Sequence, residues 1–183
     1  QLGIVRAPYN VHTLGARYAG DHNGFLWDVE MALQLGQRGG ADIVAGMTTV
    51  GLGYNFAAAP MNPTFWVYYD YASGDPSPNA GTYSTYNQLF PFGHYYLGWA
   101  DMIGRQNIHD FNMHLFLYPA KWVTVWAQFH HFRLDQNRDA LYGVSGNASR
   151  RSAAGTAGKD VGNEVDIMLN FHIAKHHDIM AGY

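Results

Sequence analysis

The sequence predicts an all-β protein, specifically an antiparallel up-and-down transmembrane β-barrel, and three observations support this prediction. Apolar and polar residues alternate with a period of two in several segments of about 9 to 11 residues, the length that a tilted strand needs to cross the hydrocarbon layer. Short turns alternate with long polar loops, which is typical of barrels whose turns and loops lie on opposite sides of a membrane. Aromatic residues make up 15% of the chain, yet no apolar run is long enough for a transmembrane helix.

The composition of the 183 residues argues against several classes of protein. With 48% apolar and 14% charged residues, the chain is too hydrophobic to be intrinsically disordered. Its formal net charge of −3 argues against a nucleic-acid partner, because phosphate binding depends on a positive field. The sequence contains no cysteine, so it can form neither a disulfide nor a thiolate metal site.

The first half of the chain contains three clear strand patterns and two weaker ones. In residues 25–35 every odd position is apolar, while the even positions include Asp28 and Glu30. Residues 42–56 place valine, leucine and aromatic side chains on one side and small residues on the other. Residues 64–71 have aromatic side chains on both faces, so they indicate a strand whose orientation stays open. The weaker candidates are residues 2–7 and 11–18.

The second half repeats the alternation more cleanly. Residues 110–117 and 122–130 form two such segments, and the predicted connection between them is a tight hairpin turn at Pro119 and Ala120. Residues 164–173 alternate in the same way, and residues 178–183 form a short last segment. The sequence therefore predicts about eight or nine strands.

The connections between these segments differ in length from one end of the predicted sheet to the other. Residues 72–108 and 135–161 form two long connections at one end, and they hold many of the glycine, proline, serine and asparagine residues. At the other end we expect short turns. These are residues 19–24, 57–63, 119–120 and 174–177. The two long loops are therefore predicted to face outward.

A soluble β-sandwich also has alternating strands, so the polar faces help to decide between the two folds. These faces carry Asn112, Thr124, Gln128 and Asn170 rather than lysine and glutamate, which is unusual for a face in contact with bulk water. Aromatic residues gather near strand ends, as they do at membrane interfaces. The residues favour the membrane barrel, with a soluble carbohydrate-binding β-sandwich as the alternative.

Two stretches of the sequence carry a longer motif. Residues 68–75 read YYDYASGD, and residues 87–107 read NQLFPFGHYYLGWADMIGRQN. Together they resemble the alginate-export family of bacterial outer-membrane β-barrels, in which an aromatic-Asp-x-Ala-Ser-Gly-Asp strand end precedes a loop of this pattern. Tyr86 stands where that family has phenylalanine. The similarity continues through residues 121–135 and 163–183.

The resemblance implies a location in the bacterial outer membrane and a channel, or porin-type, function without enzymatic activity or cofactor. The implied partners are outer-membrane lipid and a polysaccharide such as alginate, or a small polar solute, passing a gate formed by loop 72–108. Because members of this family are more than twice as long, residues 1–183 are expected to form a single segment of a larger porin-like barrel. The remaining strands of the same barrel, or a completing chain, would close it. A structural barrel subunit without transport is the alternative within the same fold.

The candidate site residues are those that the alternation places on the inward, polar face. The predicted pathway residues are Arg105, Arg17, Asp28, Glu30, Asn112, His114, Trp126, Gln128, His130, Glu164, Asp166, Asn170 and His172. An alginate pathway requires cations, for which Arg105 and Arg17 are the best candidates, whereas the four inward acids argue against an anionic solute. The identity of the solute therefore stays open.

Several of these residues also admit other readings. Trp122 and Trp126 are predicted to share one face, where they could stack on sugar rings, although aromatic residues near strand ends more often anchor a protein at the membrane interface. His114, His130 and His172 lie on successive strands, but counting from the turns places His130 far above the other two, at about 25 to 30 Å from its turn. We therefore predict no metal site.

Enzyme motifs are absent from the sequence. The carboxylate pairs at residues 28 and 30 and at residues 164 and 166 have a spacing that touches that of inverting glycosidases, but residues lining a lumen are the simpler interpretation. No glycine-rich loop lies between a strand and a helix, and no serine has the sequence context of a nucleophile. The sequence therefore predicts no catalytic residue.

Overall fold

The computed structural model describes residues 8–77, 81–92 and 94–183. Within these residues the chain forms strands, turns and loops, and contains no helix. None of the described segments is a helix with the length and apolar character needed to span a membrane. The strands are β1 (Tyr9–His22), β2 (Phe25–Arg38), β3 (Ala41–Asn55), β4 (Thr64–Ala72), β5 (Thr82–Tyr83), β6 (Ile108–Ala120), β7 (Val123–Leu134), β8 (Ala140–Tyr142), β9 (Ala148–Arg151), β10 (Asp160–Ala174) and β11 (His177–Gly182).

Eight of these strands form a continuous antiparallel sheet in the order β1-β2-β3-β4-β6-β7-β10-β11. The short β5 adds a ninth strand by pairing in parallel with residues 42 and 43 of β3, and β8 and β9 form a separate two-stranded sheet. The prediction of an all-β, antiparallel fold is confirmed. The sheet is open, with β1 and β11 at its edges, so the structure does not show a closed barrel.

The strands of the sheet are long, and glycines with positive φ allow the tight turns between them. Asn23 and Gly24 join β1 to β2 with φ values of 50° and 87°, and Gly39 and Gly40 join β2 to β3 with 56° and 87°. Two successive positive φ values define the type I′ turn, whose twist matches that of the strands. The predicted turn at residues 19–24 is therefore too long, since β1 continues to His22.

Two further boundaries differ from the sequence-based prediction. The turn between β6 and β7 is formed by Lys121 and Trp122, because an irregularity in the pairing keeps Pro119 and Ala120 at the end of β6. The weak candidate at residues 11–18 is part of β1, a strand of 14 residues. The other weak candidate, residues 2–7, lies outside the described residues.

The two faces of the sheet have opposite environments. One face, called here the apolar face, exposes large aliphatic side chains, including Leu52 at 64%, Val165 at 59% and Ile167 at 45%. The opposite face, called the covered face, carries polar residues such as Asp70 and Asn112, which are 3% and 1% exposed. A β-sandwich would place the apolar stripe in its interior, and this arrangement is the reverse.

The hydrophobic core lies on the covered face, under the long loop between β4 and β6. Residues of β3, β6 and β7 meet residues of that loop there. The cluster contains Ala45, Met47, Ala72, Tyr86, Leu97, Ile103, Ile108, Phe132 and Leu134. The residues of this loop that the structure describes therefore contribute to the folded core and cover the polar side of the sheet.

Candidate functional site

Residues 84–107 of the long loop, called here the covering segment, are tied to β2 by a fully buried glutamine. The side-chain nitrogen of Gln34 donates to the carbonyl oxygen of Asn87 at 2.8 Å, and its side-chain oxygen accepts from the backbone N–H of Asn87 at 2.9 Å. Gln34 is 1% exposed. This two-way bond replaces the backbone pairing that a loop lacks, and it fixes the start of the covering segment on the sheet.

Arg105 ties the other end of the covering segment to β3 and β4. One nitrogen of its guanidinium donates to Asp70 Oδ1 at 2.7 Å and also to the hydroxyl of Thr49. Asp70 accepts two more hydrogen bonds, from Thr49 Oγ1 at 2.6 Å and from Asn112 Nδ2 at 3.0 Å. The charge of Arg105 is therefore matched by a buried carboxylate with several donors, which is the condition under which a buried ion pair is stable.

The hydrogen-bond network continues from Asn112 across β6 and β7. Asn112 Nδ2 also donates to Asp110 Oδ2 at 2.8 Å, and that oxygen lies 2.8 Å from His130 Nδ1. Trp126 Nε1 donates to His114 Nδ1 at 3.1 Å, which leaves His114 Nε2 to interact with Asn112 Oδ1 at 2.9 Å. This network of buried polar groups connects the middle strands beneath the covering segment.

The structure corrects the predicted separation of the histidines. The ring centroids of His114 and His130 are 5.7 Å apart, because the register of β6 and β7 pairs Asn112 with His130 and so makes the two rings diagonal neighbours. The ring of His172 contacts Thr124 Oγ1 at 3.0 Å and Asp178 Oδ1 at 3.0 Å, away from the other two histidines. In the described part of the chain, no three histidine or acidic side chains are grouped so that they could hold a metal ion.

On β10, the predicted acids hold the covering segment. Glu164 Oε1 accepts the backbone N–H of Ala100 at 2.9 Å, and Asp166 Oδ2 accepts that of Trp99 at 3.3 Å. Asn170, farther along the same strand, is half-buried. The carboxylate pair of β10 is thus occupied by loop amides.

The carboxylate pair of β2 lies in a different environment, beside a cavity of about 590 Å³. Arg17 forms a two-point ion pair with Asp28, with both nitrogen–oxygen distances 2.8 Å. Glu30 and Arg105 line the same cavity. A second cavity of about 490 Å³ shares Arg17, Glu30 and Arg105 with the first, so these residues lie between the two.

Aromatic side chains form much of the wall of the first cavity. Trp66 and Tyr68 of β4 stack with their centroids 5.1 Å apart, and Tyr95 of the covering segment also lines the cavity. Sequence reasoning left the orientation of β4 open and missed Trp66 and Tyr68. Their spacing of two from Asp70 could have placed all three on one face. Burial raises the pKa of Tyr95, so its hydroxyl stays neutral at ordinary pH.

The two tryptophans predicted to share a face lie in different places. Trp126 is 8% exposed and contacts Phe116, His114 and Tyr95, so its ring is enclosed by protein. Trp122 lies in the β6–β7 turn, is 58% exposed and stacks on Phe171. The turn moves Trp122 out of the alternation of β7, and the prediction of a shared face is wrong.

Comparison with known proteins gives one family. No curated protein matches the chain. The model of a family described as "Alginate export" matches residues 6–183, which includes every strand of the sheet. This match agrees with the motif in residues 68–75 and 87–107, whose Asp70 and Arg105 form the buried ion pair beneath the covering segment. The chain therefore belongs to the alginate export family.

Proposed function

We propose that this chain forms part of the wall of a β-barrel channel in the bacterial outer membrane, through which a polysaccharide or another polar solute passes. The observation that carries the proposal is the reversed character of the sheet, with aliphatic side chains exposed on one face and polar side chains buried on the other. A membrane barrel has this arrangement, because its outer surface faces lipid and its interior is polar.

The apolar face supports lipid as the partner. Exposed aliphatic residues occupy alternate positions in parts of β2, β3 and β10, and strand pairing places Leu35 of β2 beside Val44 of β3. The exposed aliphatic residues of these strands are Met31, Leu33, Leu35, Val44, Val50, Leu52, Val165, Ile167, Leu169 and Ile173. A contiguous apolar surface of this kind is costly in water and marks an interaction with protein or membrane. Strands of 14 or 15 residues, as in β2 and β3, are long enough to cross the hydrocarbon layer when tilted.

The open edges of the sheet support a partner that completes the barrel. Unpaired backbone groups on β1 and β11 would find no water within a bilayer. We propose that residues 1–183 are one segment of a larger barrel, closed by further strands of the same barrel or by another chain. In this arrangement the long loops, residues 72–108 and 135–161, face outward.

The covered face supports a solute pathway regulated by the covering segment. The predicted pathway residues of β2, β6 and β7 lie under or beside this segment, and Arg105 connects it to Asp70. We propose that loop 72–108 gates the channel, and that opening requires this ion pair to separate. The membership in the family supports a polysaccharide as the solute.

Two experiments test the proposal. The full-length protein should require detergent to stay monodisperse, and it should conduct ions when it is inserted into a planar lipid bilayer. A protein that is monodisperse in plain buffer would contradict the membrane location. The second candidate, a structural barrel without transport, is favoured by the dense bonding of the covering segment, and it would give stable membrane insertion without conductance.

A further inference from the structure

The cavity between β4 and the covering segment has a chemistry that differs from that of an acidic polysaccharide site. We infer that it is a binding subsite for neutral pyranose rings, meaning sugar rings without a carboxylate. This inference rests on the proposed channel function and narrows its solute. Three features of the cavity carry it: its charge, its aromatic wall and the glycines behind that wall.

The charge of the cavity is unfavourable for a uronate. Two arginines line it, but so do Asp21, Asp28, Glu30 and Asp70. Each guanidinium already has a carboxylate partner, Asp28 for Arg17 and Asp70 for Arg105. Anion pathways are built from rings of cations that remain available to the anion, and here the acidic groups outnumber the basic ones.

Glu30 adds a further acid, which lies across the β1–β2 ladder from Arg17, a residue whose ion pair is with Asp28. Among the described residues, it bonds to another side chain through its backbone carbonyl oxygen, which accepts from Thr48 Oγ1 at 3.1 Å. It lines both cavities, between the two arginines. The carboxylate of an anionic sugar would therefore meet a cavity wall in which acidic side chains are in excess.

The polar groups suit hydroxyls instead. A hydroxyl both donates and accepts, so a ring with several hydroxyls can accept from guanidinium and amide N–H groups and donate to carboxylates at the same time. The cavity presents both kinds of partner, with the arginines as donors and Asp28 and Glu30 as acceptors. A volume of about 590 Å³ lies in the range of pockets that hold small molecules.

The aromatic wall provides the apolar part of the site. Trp66 and Tyr68 form a stacked pair, with an interplanar angle of 21°. Phe116 of β6 and Tyr95 of the covering segment also line the cavity. The C–H groups of a pyranose form an apolar surface that packs on aromatic rings, while its hydroxyls point toward the rim.

Two glycines of β3 make room for this wall. Gly51 is paired with Tyr68, and Gly53 is paired with Trp66. Any side chain added at either glycine would overlap the ring beside it. The rings therefore lean over β3 into space that a side chain would otherwise occupy, which leaves the cavity open beside them. The pairing holds aromatic rings in a fixed orientation, a property of binding sites for rigid rings.

The test compares two ligands that differ only at the carboxylate. β-1,4-linked mannohexaose and the corresponding hexamannuronate have the same rings and linkages, and binding of each to the full-length protein in detergent is measured by isothermal titration calorimetry. We expect mannohexaose to bind more tightly than hexamannuronate. The Trp66→Ala variant should weaken mannohexaose binding by roughly tenfold or more, the usual loss for a central aromatic contact. Trp122→Ala, an exposed tryptophan outside the cavity, is the matched control and should bind like the wild type.

Glu30→Gln serves as a second variant, because glutamine keeps the size of the side chain and removes only its negative charge from the cavity wall. It should strengthen hexamannuronate binding and leave mannohexaose binding nearly unchanged. Tighter binding of hexamannuronate by the wild type, or equal losses in Trp66→Ala and Trp122→Ala, would overturn the inference. Bilayer conductance of the same preparations is scored separately. A protein that binds mannohexaose without conducting would refute the proposed channel and keep the subsite, and a conducting protein that fails to bind it would do the opposite.

Discussion

Removal of the Arg105 side chain should release the covering segment from the sheet. In the structure, the Arg105 and Asp70 side chains are 14% and 4% exposed, and the guanidinium nitrogen is 2.7 Å from the carboxylate oxygen. Arg105→Ala leaves Asp70 buried with its two neutral donors but without its counter-charge. Breaking a buried ion pair in this way costs about 3 to 5 kcal/mol.

The ion pair between Arg17 and Asp28 offers a matched control. Arg17 and Asp28 form an ion pair of nearly the same length, 2.8 Å, but the Arg17 side chain is 54% exposed. Water screens this pair, so Arg17→Ala should cost about 0 to 1 kcal/mol. The two variants remove the same side chain and the same formal charge, and they differ in the burial of the pair.

Hydrogen–deuterium exchange on the detergent-solubilised protein measures the difference. If the lost ion-pair energy lowers the free energy of local opening of the covering segment, amides in residues 94–106 should exchange at least about 100-fold faster in Arg105→Ala. Each 1.4 kcal/mol corresponds to a factor of ten in the opening equilibrium. The same amides should change by less than about fivefold in Arg17→Ala. Comparable protection in the two variants would refute the argument that Arg105 anchors the segment.

Four further variants test other parts of the structure. Leu169→Arg, on the apolar face, should impair membrane insertion by roughly 2 to 4 kcal/mol, whereas Asn170→Arg, on the covered face, should insert normally and shift the ion preference of the channel. Urea titration in lipid vesicles measures the insertion free energy, and reversal potentials measure the ion preference. Equal loss of insertion in both variants would mean that the two faces of β10 are assigned wrongly. Gln34→Leu leaves two backbone groups of the covering segment unpaired and should destabilise that segment by about 1 to 3 kcal/mol, visible as faster exchange in residues 84–92 but not in β10. Asn107→Ala removes three hydrogen bonds of the Asn107 side chain, two to residue 136 and one to residue 140. It should expose the loop after β7 to limited proteolysis, and an unchanged cleavage pattern would count against the anchoring role of Asn107.

Strands were predictable because alternation is a local property. The pattern at residues 25–35 and 164–173 placed Asp28, Glu30 and Asp166 on one face and Leu169 on the other, and the structure has them so. Strand ends were harder to predict. The alternation fades through Ala19 and Gly20, but β1 continues because the partner strand β2 supplies its hydrogen bonds.

The site was less predictable, because it depends on register and on a loop without periodicity. Strand pairing, which no single segment encodes, brings His114 next to His130 and Tyr68 next to Gly51. The covering segment shows no alternation, so nothing in its sequence indicates that Arg105 reaches Asp70. Family resemblance drew attention to these residues without giving their contacts.

The pairing of Gly51 with Tyr68 and of Gly53 with Trp66 has a consequence for the calibre of the proposed conduit. Each aromatic ring lies over the neighbouring strand β3, so the free width of the channel depends on Gly51 and Gly53, which have no side chains. A relative with alanine or valine at those positions would have the same aromatic residues tipped toward the axis and a narrower passage. The throughput of such relatives should therefore follow the residues of β3 more closely than the aromatic residues themselves.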